Sequence, residues 1–159
     1  MSAIGGRGRV ATLVREVLLN GTLAGLAMMP FGAAFRSAGL RINEYGPKTL
    51  ALLVGDLDLP WAGVAGFAQH MVISWGAALP FSLAAPRSTE RFASLWWGAA
   101  YGAAFYVAVN SLALPLFFGD PTPWALGAAV VLPSFVVHLV YGAVLGALLR
   151  SPASGTSPR

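Results

Sequence analysis

Residues 92–118 read FASLWWGAAYGAAFYVAVNSLALPLFF, 27 consecutive positions without an Asp, Glu, Lys, Arg or His. A helix needs only ~20 apolar residues to cross the ~30 Å hydrocarbon layer of a bilayer. Three more stretches, 17–35, 62–85 and 124–149, also lack Asp, Glu, Lys and Arg. No stretch alternates polar and apolar residues with the period of two that a barrel strand requires. Unpaired backbone groups in lipid cost several kcal/mol each, so helices are the expected solution. The chain reads as an all-α, polytopic membrane protein. Its four transmembrane helices are expected at about 12–36, 61–86, 92–118 and 124–149, in an antiparallel bundle with both termini cytoplasmic.

Composition agrees with that reading. Of 159 residues, 57% are hydrophobic and 10% charged, against about a quarter charged in ordinary soluble domains. Residues 1–150 form one transmembrane domain, and 151–159, rich in Ser, Pro and Gly, is expected to be disordered. Once the spans are laid out, only short loops remain outside the bilayer, too little for a soluble catalytic domain. There is no cysteine, which removes disulfides, thiolate nucleophiles and Cys-based metal sites. Arg7 and Arg9 precede no cleavage-site pattern, so the first span is read as a retained helix.

The net charge of +4 is better explained by where the charges lie than by a nucleic-acid partner. With the amino terminus cytoplasmic, Arg7, Arg9, Arg15, Arg87, Arg91, Arg150 and Arg159 fall inside, and Arg36, Arg41 and Lys48 outside. That distribution satisfies the positive-inside rule. Trp61, Trp124, Arg36, Arg87 and Arg91 are the expected interface anchors. Between the first two spans the segment 49–55 is apolar again, as an interfacial helix or re-entrant dip would be.

Lipid tails are as apolar as leucine, so helices in a bilayer associate through close packing and hydrogen bonds. Gly21 and Gly25, Gly98 and Gly102, and Gly142 and Gly146 are pairs of small residues four apart that let backbones approach. They place a tight bundle on the inner side, opening slightly outward. The polar groups at depth are few. His70 has Ser74 one turn later, His138 has Ser134 one turn earlier, and Gln69, Asn110 and Ser111 are the other groups well inside the spans. His70, Ser74, Asn110, Ser134 and His138 stand out among them. These five are the candidate ligand- or proton-binding residues.

Two histidines on different helices could ligate a b-type haem, which needs imidazoles at matching depth. Measured along straight helices, His70 lies roughly 13 Å from Trp61 and His138 roughly 21 Å from Trp124, a mismatch of about 8 Å. No cofactor or metal is therefore expected, and haem b stays the alternative. The acids lie in loops and at span edges, so no Ser-His-Asp triad is expected. Glu16 stands beside Arg15 at the inner edge, where a boundary ion pair is the simplest account. A faint duplication is visible as well. Each half has a Gly-x-x-x-Gly helix, a Pro-Trp (Pro60-Trp61; Pro123-Trp124) and a following helix with one histidine.

Trp97-Gly98, Gly102, Leu114-Pro115-Leu116, the Pro121 and Pro123 turn, Ser134 and His138-Leu139-Val140-Tyr141, together with His70 and Ser74, resemble the YagU family of bacterial inner-membrane proteins. The likeness covers about the last hundred residues. Asn110 stands where that pattern suggests a histidine, and Phe135 where it suggests an acid. The resemblance implies a bacterial inner-membrane location and a multi-helix fold, and little about activity. The function expected is non-enzymatic: helix association, as an accessory subunit of a larger complex or as a homo-oligomer, with lipids and other transmembrane helices as partners. The alternative is a small binding or transport protein whose His70, Asn110 and His138 handle protons, a quinone or haem.

Overall fold

The computed structural model describes residues 3–42, 45–55, 58, 60–86 and 91–149, with the side chains of 3–7 and of Arg91 left aside. Arg87 and the tail 151–159 thus lie outside the described residues. The chain is all-α. Helix α1 is Ala3–Ser37, α2 is Tyr45–Val54 and α3 is Trp61–Ala84. Helix α4 runs unbroken through Arg91–Phe105, a π-helical stretch Tyr106–Ala113, and Leu114–Phe118. A short α5, Pro123–Leu126, precedes α6, Ala128–Leu148.

Three helical segments are long and apolar enough to cross a membrane: Gly8–Ser37, Phe92–Phe118 and Ala128–Leu148. The chain thereby has the makings of a multi-pass membrane protein. Helix α3, with 24 residues and no charge, is the fourth long helix, made less apolar by Gln69 and His70. Its surface is greasy like the others, with Val64 60%, Val72 59% and Leu83 63% exposed. Exposed tryptophans stand at both ends of the bundle, Trp61 and Trp124 at the end that carries α2 and Trp96 and Trp97 at the end that carries the chain termini. Along α4, Trp97 and Phe118 are separated by about 32 Å of helix, close to one hydrocarbon thickness.

Two of the expected boundaries need correction, and one span is not regular throughout. The first helix begins at Ala3 and not at about 12, because Arg9, Arg15 and Glu16 end the apolar run without ending the helix. The fourth helix does not run from 124 to 149. It breaks at Gly127, where φ is 94° and ψ 174°, a backbone conformation that residues with a Cβ rarely adopt. The third helix is not uniformly α. Pro115 has no N–H to donate, and its ring crowds the carbonyl one turn earlier. The chain answers by widening ahead of the proline, so that Leu114 N–H bonds to Val109 O, five residues back. The apolar segment 49–55 is helical and starts earlier, as part of α2, with Leu52, Leu53 and Val54 exposed and Tyr45 buried.

The helices pack as two antiparallel hairpins, α1 with α3 and α4 with α6, and α1 also packs along α6. Both hairpins meet at glycines. A Cβ on Gly98 would lie 2.8 Å from Gly146 N, and one on Gly142 would lie 2.7 Å from Gly102 N. These are backbone atoms, so the two helices touch main chain to main chain. Gly21 and Gly25 lie instead against α3, where a Cβ would press on Ser74, Trp75 and Ala78, or on Ser74 and Met71. The register is the same in both hairpins. Gly25 and Gly21 face the 70, 74, 78 ridge of α3, while Gly102 and Gly98 face the 138, 142, 146 ridge of α6.

A core of Ala24, Ala77, Ala78, Phe81, Tyr141, Leu145 and Leu149 fills the centre toward the termini end. Towards the α2 end the packing turns aromatic, with Tyr106 edge-on to Trp124 and Phe135 and with Tyr45 stacked on Phe118. Gly98→Val and Gly142→Val should each force α4 and α6 apart and cost about 3 kcal/mol, the upper part of the overpacking range. Gly76→Val, with open space around it, should be close to neutral. Reversible unfolding in mixed micelles followed by helical circular dichroism measures the difference.

Candidate functional site

His70, Ser74, Asn110, Ser134 and His138 lie on α3, α4 and α6, and the two histidines, Ser74 and Asn110 are each tied into the fold by a side-chain bond. Asn110 sits in the π-helical stretch, where the extra residue per turn alters the facing of the side chains around it. Its Nδ2 lies 2.6 Å from His138 Nε2. On the other side of the ring, His138 Nδ1 lies 2.6 Å from the Ser134 carbonyl oxygen. A carbonyl only accepts, so Nδ1 carries the proton and Nε2 accepts from the Asn110 amide. That is a neutral imidazole with both nitrogens in use. An imidazolium would need the Asn110 amide turned over to present its oxygen. Phe105 stacks against the imidazole at 6.2 Å and Tyr106 lies tilted to it at 5.4 Å.

His70 is bound differently. Its Nε2 is 3.1 Å from the Gly25 carbonyl of α1, so this nitrogen bears the proton and donates. The two helix positions paired with hydroxyls by spacing turn out to use them otherwise. Ser74 Oγ donates to the His70 backbone carbonyl at 2.8 Å, and His138 binds the main chain of Ser134.

The histidines lie closer in depth than straight helices imply. Helices α3 and α6 are both antiparallel to α1, hence parallel to each other, and Tyr141 OH donates to Ser74 O at 2.5 Å. His70 is about one turn before Ser74, and His138 about one turn before Tyr141, so both stand on the same side of a shared bond. The mismatch of about 8 Å disappears because Pro123–Leu126 and Gly127 lie outside α6. His138 is ten residues from Ala128, as His70 is nine from Trp61. Equal depth alone does not make a haem site. The Nε2 of His138 is taken by Asn110 and that of His70 by Gly25 O, so the residues as arranged do not fit two axial bonds to one iron. Among the described residues no three His, Asp or Glu side chains gather to hold a metal ion.

Tyrosines and a tryptophan, absent from the sequence-based candidates, complete the network. Tyr101 OH donates to Ala77 O, the link between α4 and α3, and Trp75 Nε1 donates to Thr22 Oγ1 at 2.9 Å. Gln69 Nε2 donates to Thr49 Oγ1 at 2.6 Å and so ties α2 to α3. Aromatic rings with a polar tip look apolar in a hydropathy reading, which is why these were passed over. Tyr106 OH and Ser111 Oγ are buried, and although Ser111 is close to Tyr106 the pair stops short of hydrogen-bond geometry.

The remaining candidates lie apart from this network. Trp61, 66% exposed, and Trp124, 51% exposed, stand at the α2 end, and Arg36 is in the last turn of α1. Glu16 and Arg15 line a small recess of about 230 Å³ at the other end with Asn20 and Leu149. Comparison with known protein families, with curated proteins and with solved structures finds no match. Replacing Asn110 with leucine should leave His138 Nε2 without its donor and destabilise the bundle by about 0.6–2 kcal/mol. Unfolding in mixed micelles reads that cost, and a neutral result would mean that the Asn110–His138 bond contributes nothing.

Proposed function

We propose that this is a four-span, non-enzymatic membrane protein that works by helix association, as an accessory subunit of a larger membrane assembly or as a homo-oligomer. The observation that carries the reading is a division of surfaces. His70, Asn110 and His138 are bonded within the bundle, to one another or to main-chain carbonyls, while large apolar side chains such as Leu116 at 85%, Phe117 at 71% and Phe92 at 77% exposure point outward. None of the cavities at the two ends or beside α2 is lined by His70, Asn110 or His138. A carrier would need its polar residues to face the path of its substrate.

Helix α3 counts as the fourth span because it packs antiparallel to α1 from the Gly25–His70 contact to the Gly21–Ala78 contact. Four crossings return the chain to the side from which it started, and the arginine distribution makes that side cytoplasmic. The likeness of 97–141 to the YagU pattern favours a bacterial inner membrane. Extraction in a mild detergent followed by light scattering on the eluted particle tests association. A particle larger than one chain, or one that carries other transmembrane proteins, is expected. A bare monomer at all protein concentrations would refute it.

A second reading, in which the cluster of His70, Asn110 and His138 handles protons, a quinone or haem, draws on the similar depth of the two histidines, and for haem it needs the Asn110 and Gly25 bonds to the two Nε2 atoms to be given up. Absorbance of the purified protein separates the two. Under the association reading the preparation is colourless. A Soret band lost in both His70→Ala and His138→Ala would replace that reading with the second.

A further inference from the structure

At the α2 end a cavity of about 570 Å³ opens between the end of α1, α2 and the start of α6. Its lining is divided by chemistry. Among the described residues of the lining, Arg36, Arg41 and Lys48 supply three cations against one carboxylate, Asp120, and Ile42, Leu126 and Val130 are apolar. The volume falls within the ~300–1,000 Å³ of ordinary ligand sites.

The walls are fixed by contacts on the page. Lys48 is paired with Asp120 and stands over the rings of Tyr45 and Phe118, 5.8 and 5.5 Å from their centroids. This joins α2 to the loop after α4. Arg36 is itself engaged within the protein. After Ser37 the chain turns at Gly39, with φ 76°, and Leu40 N–H returns to Phe35 O at 2.9 Å. The turn brings Arg41 back to the mouth of the cavity, beside the helix that carries Arg36. Helix α6 begins at the opposite wall without a side-chain cap, so the positive end of its dipole adds to the same sign of charge.

The position of the cavity selects its occupant. Trp61 and Trp124 mark this end as headgroup level, and a cationic rim above an apolar floor matches a molecule whose phosphate is joined to hydrocarbon. We propose that the cavity binds an anionic glycerophospholipid. Arg41 and Arg36 take the phosphate oxygens, for which a guanidinium fork is suited, and Ile42, Leu126 and Val130 take the first acyl carbons. The site needs only that this end of the bundle meets the headgroups. It stands whether or not the protein associates with other helices.

Native mass spectrometry of the detergent-solubilised full chain, titrated with phosphatidylglycerol, phosphatidylcholine or inorganic phosphate, tests the site. Phosphatidylglycerol is expected to bind in preference to phosphatidylcholine. Arg41→Gln, at an exposed position outside any helix, should weaken it about fivefold, the value of one arginine near an anionic headgroup. Arg36→Gln should weaken it comparably, and Arg9→Gln, at the other end of α1, should not. Equal binding of the two lipids, an unchanged Arg41→Gln variant, or an Arg9→Gln variant weakened as much would overturn the proposal. So would binding of inorganic phosphate that depends on Arg41 and is not displaced by phosphatidylglycerol, which would make the ligand a free anion.

Discussion

Main-chain contact between α4 and α6 is the constraint on which the other arrangements rest. In water, two helices are pressed together by the exclusion of solvent; in a bilayer that push is missing, and only close approach and polar bonds hold them. Gly98 and Gly102 interleave with Gly142 and Gly146 so tightly that no side-chain atom fits between them. That approach brings the imidazole of His138 within reach of Asn110. The same approach, with α1 laid along α6, brings Tyr141 onto Ser74 and Tyr101 onto Ala77. The hydrogen bonds specify the neighbours that the glycines bring near.

The second organising fact is how many of the polar side chains at depth are bonded to main chain. Several of them donate to carbonyls of a neighbouring helix: Gly25 O, Ser74 O and Ala77 O are all used in this way. A carbonyl has two lone pairs, so it can keep its helical bond and take a second donor. The bundle is therefore laced through its backbone as well as through its side chains. This is an economical answer in a medium that offers no water to any group left over.

Much of this was legible from residue order. The charge-free stretches mark the long helices, and the glycines four apart mark where helices come close. What residue order could not say is which glycine pair meets which partner: Gly21 and Gly25 meet serine, tryptophan and alanine, while the other two pairs meet each other. Pro115 and Gly127 were visible as residues, but their consequences differ in kind. A proline inside a membrane helix can be absorbed by a kink or by a wider turn, and only the local packing decides. A glycine in an apolar run can be a helix residue or a break, and here its positive φ makes it a break. That single break removed the depth difference that straight helices imply between the two histidines. The tyrosine hydroxyls were missed because hydropathy averages a ring with its polar tip.

Helix α1 has 35 residues, a length of about 52 Å, while a hydrocarbon layer is ~30 Å thick. The surplus lies at the amino-terminal end, beyond the glycines and the imidazole contact. That surplus carries Arg9, Arg15 and Glu16, and a charge at the centre of the hydrocarbon costs at least ~2.5 kcal/mol, so it belongs with the headgroups and the water beyond them. The first helix thus outlasts the apolar stretch that packs against its neighbours, and holds these charges more than a turn clear of Gly21.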